Sequence, residues 1–186
     1  MAIIEEITAE EYARLPQSAF YRDELIRGVQ YIREPGPPGY AHGSIDATIG
    51  HFLFAFVMPR RLGQVVHNAG FVFERNPDTV LGPDIAFVEA SRVPAPDGPA
   101  YPDGAPDLAV EILSPSNTRK KMARRLEIYL RTGTRLVWVV DPKRRTVTVH
   151  RPEHEPFVLS VDDQLTGEDV LPGFECRVAD FFYELR

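Results

Sequence analysis

The chain has almost no cysteine. Cys176 is the single one in 186 residues, so no internal disulfide can form, and it lacks the neighbours of a zinc site. A lone thiol fits a reducing compartment. A long apolar run is missing too. No stretch approaches the roughly 20 residues of a membrane helix, and the N-terminus MAIIEEITAEEY carries acids where a signal peptide carries bases. The protein is therefore expected in the cytoplasm, off the membrane. Excess positive charge is also lacking: a net charge of -6 argues against a protein that grips nucleic acid over its whole surface.

The composition that is present, 44% hydrophobic and 26% charged, is that of a soluble globular protein. A length of 186 residues fits one domain over 1–186, with a full core and no need of disulfides or a structural metal. The basic residues are unevenly spread. Arg119, Lys120, Lys121, Arg124, Arg125, Arg131 and Arg135 put seven of the 21 into one short segment. This segment is either an anion-binding face on an acidic body or a plainly solvated helix face.

Taken in order, Thr8 with Glu11 forms a capping box that opens a short helix to about Leu15. YRDELIRGVQYIRE, from Tyr21 to Glu34, reads as a hairpin about Arg27-Gly28, with Glu24 in its first strand. EPGPPGY is a stiff loop. A helix follows from about Tyr40 to Met58, because Ile45, Ile49, Phe52, Leu53, Phe56 and Val57 recur at helical spacing. His42 lies in its first turn, three residues before Ile45, and His51 lies off the apolar face. Strands are expected at Gly63–His67 and Gly70–Glu74, then at Ile85–Val88 behind Gly82-Pro83-Asp84. A long proline-rich loop fills Glu89 to Pro106.

Leu108 to Leu113 reads as a strand buried on both faces. Ser114-Pro115-Ser116-Asn117 offers turn and cap chemistry for a basic helix to about Arg131, whose buried stripe is Met122, Leu126, Tyr129 and Leu130. LVWVV, from Leu136 to Val140, is a further apolar strand. Thr146 to Arg151 is half-exposed, and Phe157 to Val161 is its candidate partner. The tail offers a turn at Pro172-Gly173 and a short amphipathic helix that packs Phe181 and Phe182.

Glu111 breaks the pattern of its strand. A carboxylate in such an apolar run costs several kcal/mol, by order of magnitude, unless a partner or a metal neutralises it. Antiparallel pairing of Ile85–Val88 with Leu108–Leu113 brings Asp84 near Glu111. Asp107 lies four residues earlier, about 13 Å along the strand, too far to share one ion. The following helix delivers Lys121 and Arg125 from the same end. Two carboxylates beside a cation suit a hard divalent ion, Mg²⁺ or Mn²⁺, and phosphodiester hydrolysis. The competing reading is structural: Asp84 caps a turn, and Glu111 forms a buried ion pair with Arg125 or Lys121. On the residues alone, Glu24 is a strand charge facing water or a site residue. His42 is likewise a surface or capping residue, or a site neighbour.

The succession Tyr21, Glu24-Leu25-Ile26, Gly28, then His42-Gly43, GFVFERNPDTVLGPDIAFV, PDLAVEILSPSNT, the basic helix and LVWVVDP resembles the Uma-two (Uma2) restriction-endonuclease family, within the PD-(D/E)XK nuclease superfamily. The likeness covers about Ile7 to Phe182. It implies an α/β fold with a restriction-endonuclease-like mixed β-sheet flanked by helices and a metal site at one end. Position by position, Asp84 takes the motif's aspartate and Glu111 its second acid, both metal ligands. Glu24 becomes a third acid, and His42 a site neighbour.

The motif's lysine departs. Leu113 stands two residues after Glu111, and the family's lysine falls on the following helix at a position matching Arg125. Arginine keeps the charge but cannot act as a general base. Lys121, one turn away, is the alternative. The function expected is a metal-dependent DNA endonuclease. The rival is a weak or inactive nuclease-fold protein acting as a binding module. Cutting both strands of a duplex needs two sites, so a homodimer is expected, with no residue pattern to place its interface.

Overall fold

A computed structural model of the protein describes residues 6–15, 24–31, 39–114 and 118–182. The expected contributions of Tyr21, of the proline-glycine loop before Gly39 and of Pro115-Ser116-Asn117 lie outside these residues.

Helix α1 (Ala9–Arg14) opens on the expected capping box: Thr8 Oγ1 accepts from the Glu11 N–H, and Glu11 Oε2 from the Thr8 N–H. Strands β1 (Glu24–Ile26) and β2 (Val29–Tyr31) form the hairpin. Its two turn residues, Arg27 at φ 51° and Gly28 at φ 74°, take the left-handed conformation that matches the twist of the strands. Helix α2 (Tyr40–Arg60) runs two residues beyond the expected end and stops at Arg61, itself left-handed.

The strand pair expected around Asn68 divides between two sheets. β3 (Gly63–His67) forms one edge of a six-stranded sheet, while β4 (Phe71–Glu74) joins a four-stranded one with β5 (Thr79–Leu81) and the hairpin. β6 (Ile85–Glu89) and β7 (Leu108–Ile112) pair antiparallel in the interior of the larger sheet. Helix α3 (Arg119–Arg131) then makes the crossover to β8 (Leu136–Asp141), which lies parallel to β7. β9 (Thr146–His150) and β10 (Phe157–Leu159) complete that sheet as antiparallel neighbours, so its order is β10-β9-β8-β7-β6-β3. The four-stranded sheet has the order β2-β1-β5-β4.

The tail differs from expectation. Pro172-Gly173 does not turn the chain but lies within β12 (Leu171–Arg177), which pairs with β11 (Gln164–Gly167), a strand that periodicity had not marked. Gly173, at φ 82°, absorbs the local bend. The closing 3₁₀ turn, Val178–Phe182, buries Phe181 and Phe182 as anticipated.

Alternation along the central strands builds a core on each side of the large sheet. Ile85, Phe87, Leu108, Val110, Leu136 and Trp138 pack against α2 and the tail. Ala86, Val88, Ala109, Val137 and Val139 pack against α3 and the four-stranded sheet. Glu111 shares the parity of Ala109 and so belongs to the α3 side. The small residues on that face leave room for large polar side chains.

The helix cap and the α3 stripe also need correction. Thr118 caps α3, accepting from the Lys121 N–H at 3.2 Å. Its fully buried residues are Met122, Arg125, Ile128 and Tyr129, whereas Leu126 and Leu130 are only partly covered. The helix is rotated from the position apolar burial alone would choose. The two carboxylates that hold Arg125 supply the reason.

Candidate active site

Register places the two acids. Ile85 pairs with Val110 in β6 and β7, so the next position out on each strand sets Asp84 beside Glu111. Asp84 Oδ2 accepts the Ile112 N–H at 2.7 Å, which ties the loop before β6 to the end of β7. The same oxygen lies 3.3 Å from His42 Nε2, brought in by the first turn of α2. His42 Nδ1 is buried without a partner among the described residues.

Glu111 is 2% exposed and its Oε1 gathers three donors: Arg125 Nε at 3.0 Å, Arg125 Nη2 at 2.6 Å and the Tyr129 hydroxyl at 2.5 Å. Its Oε2 stands outside this set of bonds. Arg125 is 3% exposed. Its Nη1 donates to Glu24 Oε1, and Nη2 also reaches the Gly82 carbonyl at 2.8 Å and Tyr129 Oη at 2.7 Å. Glu24 comes from the β1 hairpin, Gly82 from the β5–β6 link, Glu111 from β7, and Arg125 and Tyr129 from successive turns of α3. Four separate segments thus converge on one guanidinium.

Burial is the largest influence on Glu111 and pushes its carboxyl above the ordinary range. Arg125 pulls it back, and the neighbouring Asp84 charge pushes it up again. For Arg125, burial works against the charge but is outweighed by Glu111, Tyr129 and Glu24, so the guanidinium stays protonated. Burial raises the Tyr129 hydroxyl well above its usual value, which keeps it a hydrogen donor to Glu111.

Of the expected site residues, Glu24, His42, Asp84, Glu111 and Arg125 come together. Lys121 does not; it is exposed one turn before Arg125. Asp107 is occupied at the opposite end of β7, where it accepts from the Glu89 N–H and from Arg92 Nη1, each at 2.8 Å. Two members were not foreseen in their present role. Helical spacing marks Tyr129 only as part of the apolar stripe, although its i, i+4 spacing from Arg125 puts the two side chains in reach. The Gly82 carbonyl carries no side-chain signal.

Among the described residues, no three His, Cys, Asp or Glu side chains are gathered as a ready-made metal cage. The donor set still fits one class of ion. Two adjacent buried carboxylates with no thiolate suit Mg²⁺ or Mn²⁺, which bind through one or two carboxylates and keep several waters, better than zinc. Glu24 and Glu111 share the Arg125 guanidinium, whereas Asp84 accepts from the Ile112 N–H and faces His42.

Residues 9–179 match a family model described as putative restriction endonuclease. A crystal structure of a putative nuclease belonging to DUF820 from Anabaena variabilis superposes with a TM-score of 0.82 at 28% sequence identity, covering 95% of this chain and 97% of that one. No curated protein matches the chain. Among the described residues, no helix is long and apolar enough to cross a membrane.

Proposed function

The chain belongs to the Uma2 family, described as putative restriction endonucleases, and on that premise we propose that it is a metal-dependent DNA endonuclease hydrolysing phosphodiester bonds. The observation that carries this reading is the pair Asp84 and Glu111, side by side at the ends of adjacent strands and next to a buried guanidinium. Asp84 and Glu111 would hold Mg²⁺ or Mn²⁺. Such an ion, when bound, supplies Lewis-acid polarisation of a phosphoryl oxygen and activation of water.

The chain's own groups divide the remaining work. Glu24, the Gly82 carbonyl and Tyr129 fix the plane of Arg125, so its charge is already oriented when a phosphate arrives. Arg125 steadies negative charge that develops on the phosphate and takes no proton, because a guanidinium has no accessible neutral form. His42 holds Asp84 in place from the α2 side. Exposed Arg119, Lys120 and Lys121 on the first turn of α3 offer contacts to the nucleic-acid backbone, which fixes register without reading sequence.

A second reading is favoured by one feature: Arg125 forms ion pairs with both Glu24 and Glu111. A network closed in this way serves equally in a nuclease-fold binding module without catalysis. Cleavage of single-stranded, duplex and branched DNA in Mn²⁺ separates the two. Wild type is expected to cut, Glu111→Ala to lose cutting while its circular dichroism shows it folded, and Arg125→Lys to keep or raise the rate. Full activity in folded Glu111→Ala would remove Glu111 from the mechanism, and no cutting by wild type on any substrate would favour the binding module.

A further inference from the structure

Helix α2 carries almost no formal charge on any side. Its 21 residues contain two charged side chains, Asp46 and Arg60, and both are turned to other work. Asp46 bonds His67 Nδ1 at 2.9 Å, and Arg60 lies over the Phe56 ring at 4.1 Å. One face, with Ile45, Ile49, Leu53 and Val57, fills the core. A surface helix of a globular protein ordinarily presents charge on the opposite face, and this one presents none there.

The opposite face of α2 carries Tyr40, Ser44, Ala47, His51, Phe54 and Met58, all exposed, with Tyr40 at 87%, Phe54 at 51% and Met58 at 55%. Their spacing alternates four and three residues, the seam of a helix that packs lengthwise on another helix. The seam is symmetric about position 49. Laid antiparallel on itself, it sets Tyr40 against Met58, Ser44 against Phe54, and Ala47 against His51. In the last two pairs a large side chain faces a small one, and the first is an aromatic–thioether contact of a favourable kind.

We propose that the outer face of α2 is the interface of a homodimer, in which the helices of two copies pack antiparallel about a two-fold axis at the level of Ile49. Charge selects both the face and the direction. A net charge of -6 makes two copies repel, so contact is favoured where no formal charge lies, as along this seam. The antiparallel arrangement also keeps the exposed Arg60-Arg61 ends of the two helices apart and opposes their dipoles, whereas a parallel one would bring both basic ends together. The seam spans about 27 Å, and the contact belongs to the small-interface class of roughly 1,200 Å² or less.

The interface is read from α2 alone and tested by mass, so its failure and that of the nuclease reading are separate results. Sedimentation velocity across the micromolar range should give wild type a mass twice 21.0 kDa at the upper end. Ala47→Glu, at an exposed helical position, should be monomeric because each copy then brings a carboxylate beside the two-fold axis, where the two repel and lose water. Adding His51→Lys to Ala47→Glu should restore the dimer, since antiparallel packing pairs 47 with 51. Wild type monomeric throughout, Ala47→Glu still dimeric, or the double variant still monomeric would each overturn the proposal.

Discussion

Glu111 is a carboxylate at 2% exposure in a strand of Leu, Ala, Val and Ile, which is tolerable only because three hydrogen bonds from two donor residues close on one of its oxygens. Removing the donors should therefore cost unequal amounts. Arg125→Met leaves Glu24 and Glu111 buried without their shared cation and should destabilise by about 3–5 kcal/mol. Tyr129→Phe removes one hydroxyl from the same cluster and should cost about 1–3 kcal/mol. Urea unfolding measures both. Equal, small losses would mean that the network is not what holds Glu111. The acid pair was legible in the sequence because an acid in an apolar run is conspicuous and strand register is a matter of counting. Tyr129 was not, since an aromatic at helical spacing looks like core until the polar atoms around its hydroxyl are known.

At the scale of elements, the hairpin, α2, β6, β7 and the basic helix follow from turn residues and periodicity. The rotation of α3 did not, because apolar spacing alone cannot register the pull of two distant carboxylates on Arg125. β12 was hidden by Pro172-Gly173, which ordinarily signals a turn but here sits within a strand. The attachment of α1 was hidden too. Asp78 Oδ2 accepts the Ala9 N–H at 2.8 Å and Arg75 Nη1 at 2.9 Å, while Arg75 also binds Glu10 and Asp103.

Burial alone would raise the Asp78 carboxyl, but the N–H groups of Ala9 and Asn76 and the Arg75 charge outweigh it and hold the carboxyl below its usual range. A carboxyl lowered on folding contributes stability that is complete above the unfolded value of about 3.9 and is lost as the pH falls through the folded value. Asp78→Asn should therefore have a lower urea midpoint than wild type at pH 7, and the gap should narrow steadily as the pH is taken below 4. A gap that stays constant on acidification would show that the Asp78 charge does not anchor α1.

At the scale of the molecule, the six-stranded sheet separates two cores, and the acid cluster lies where the end of that sheet, the β1 hairpin, α2 and α3 meet. Net acidity argues against broad nucleic-acid binding, and under the proposed function the exposed basic first turn of α3, beside the acid cluster, is the part that would meet a phosphate backbone. Legibility was lowest here. A strand pattern does not say which sheet a strand will join, as β3 and β4 show, nor which apolar helix face stays uncovered.

The proposed function requires Asp84 and Glu111 to act as one cation site despite the guanidinium already paired with Glu111. Calorimetric titration of Mn²⁺ into wild type and into Asp84→Ala, both verified as folded, tests this most directly. Saturable binding to wild type that is lost or at least about tenfold weaker in Asp84→Ala is predicted, in keeping with the loss of one of two carboxylate ligands. Equal binding to both proteins, or binding to neither, would contradict it.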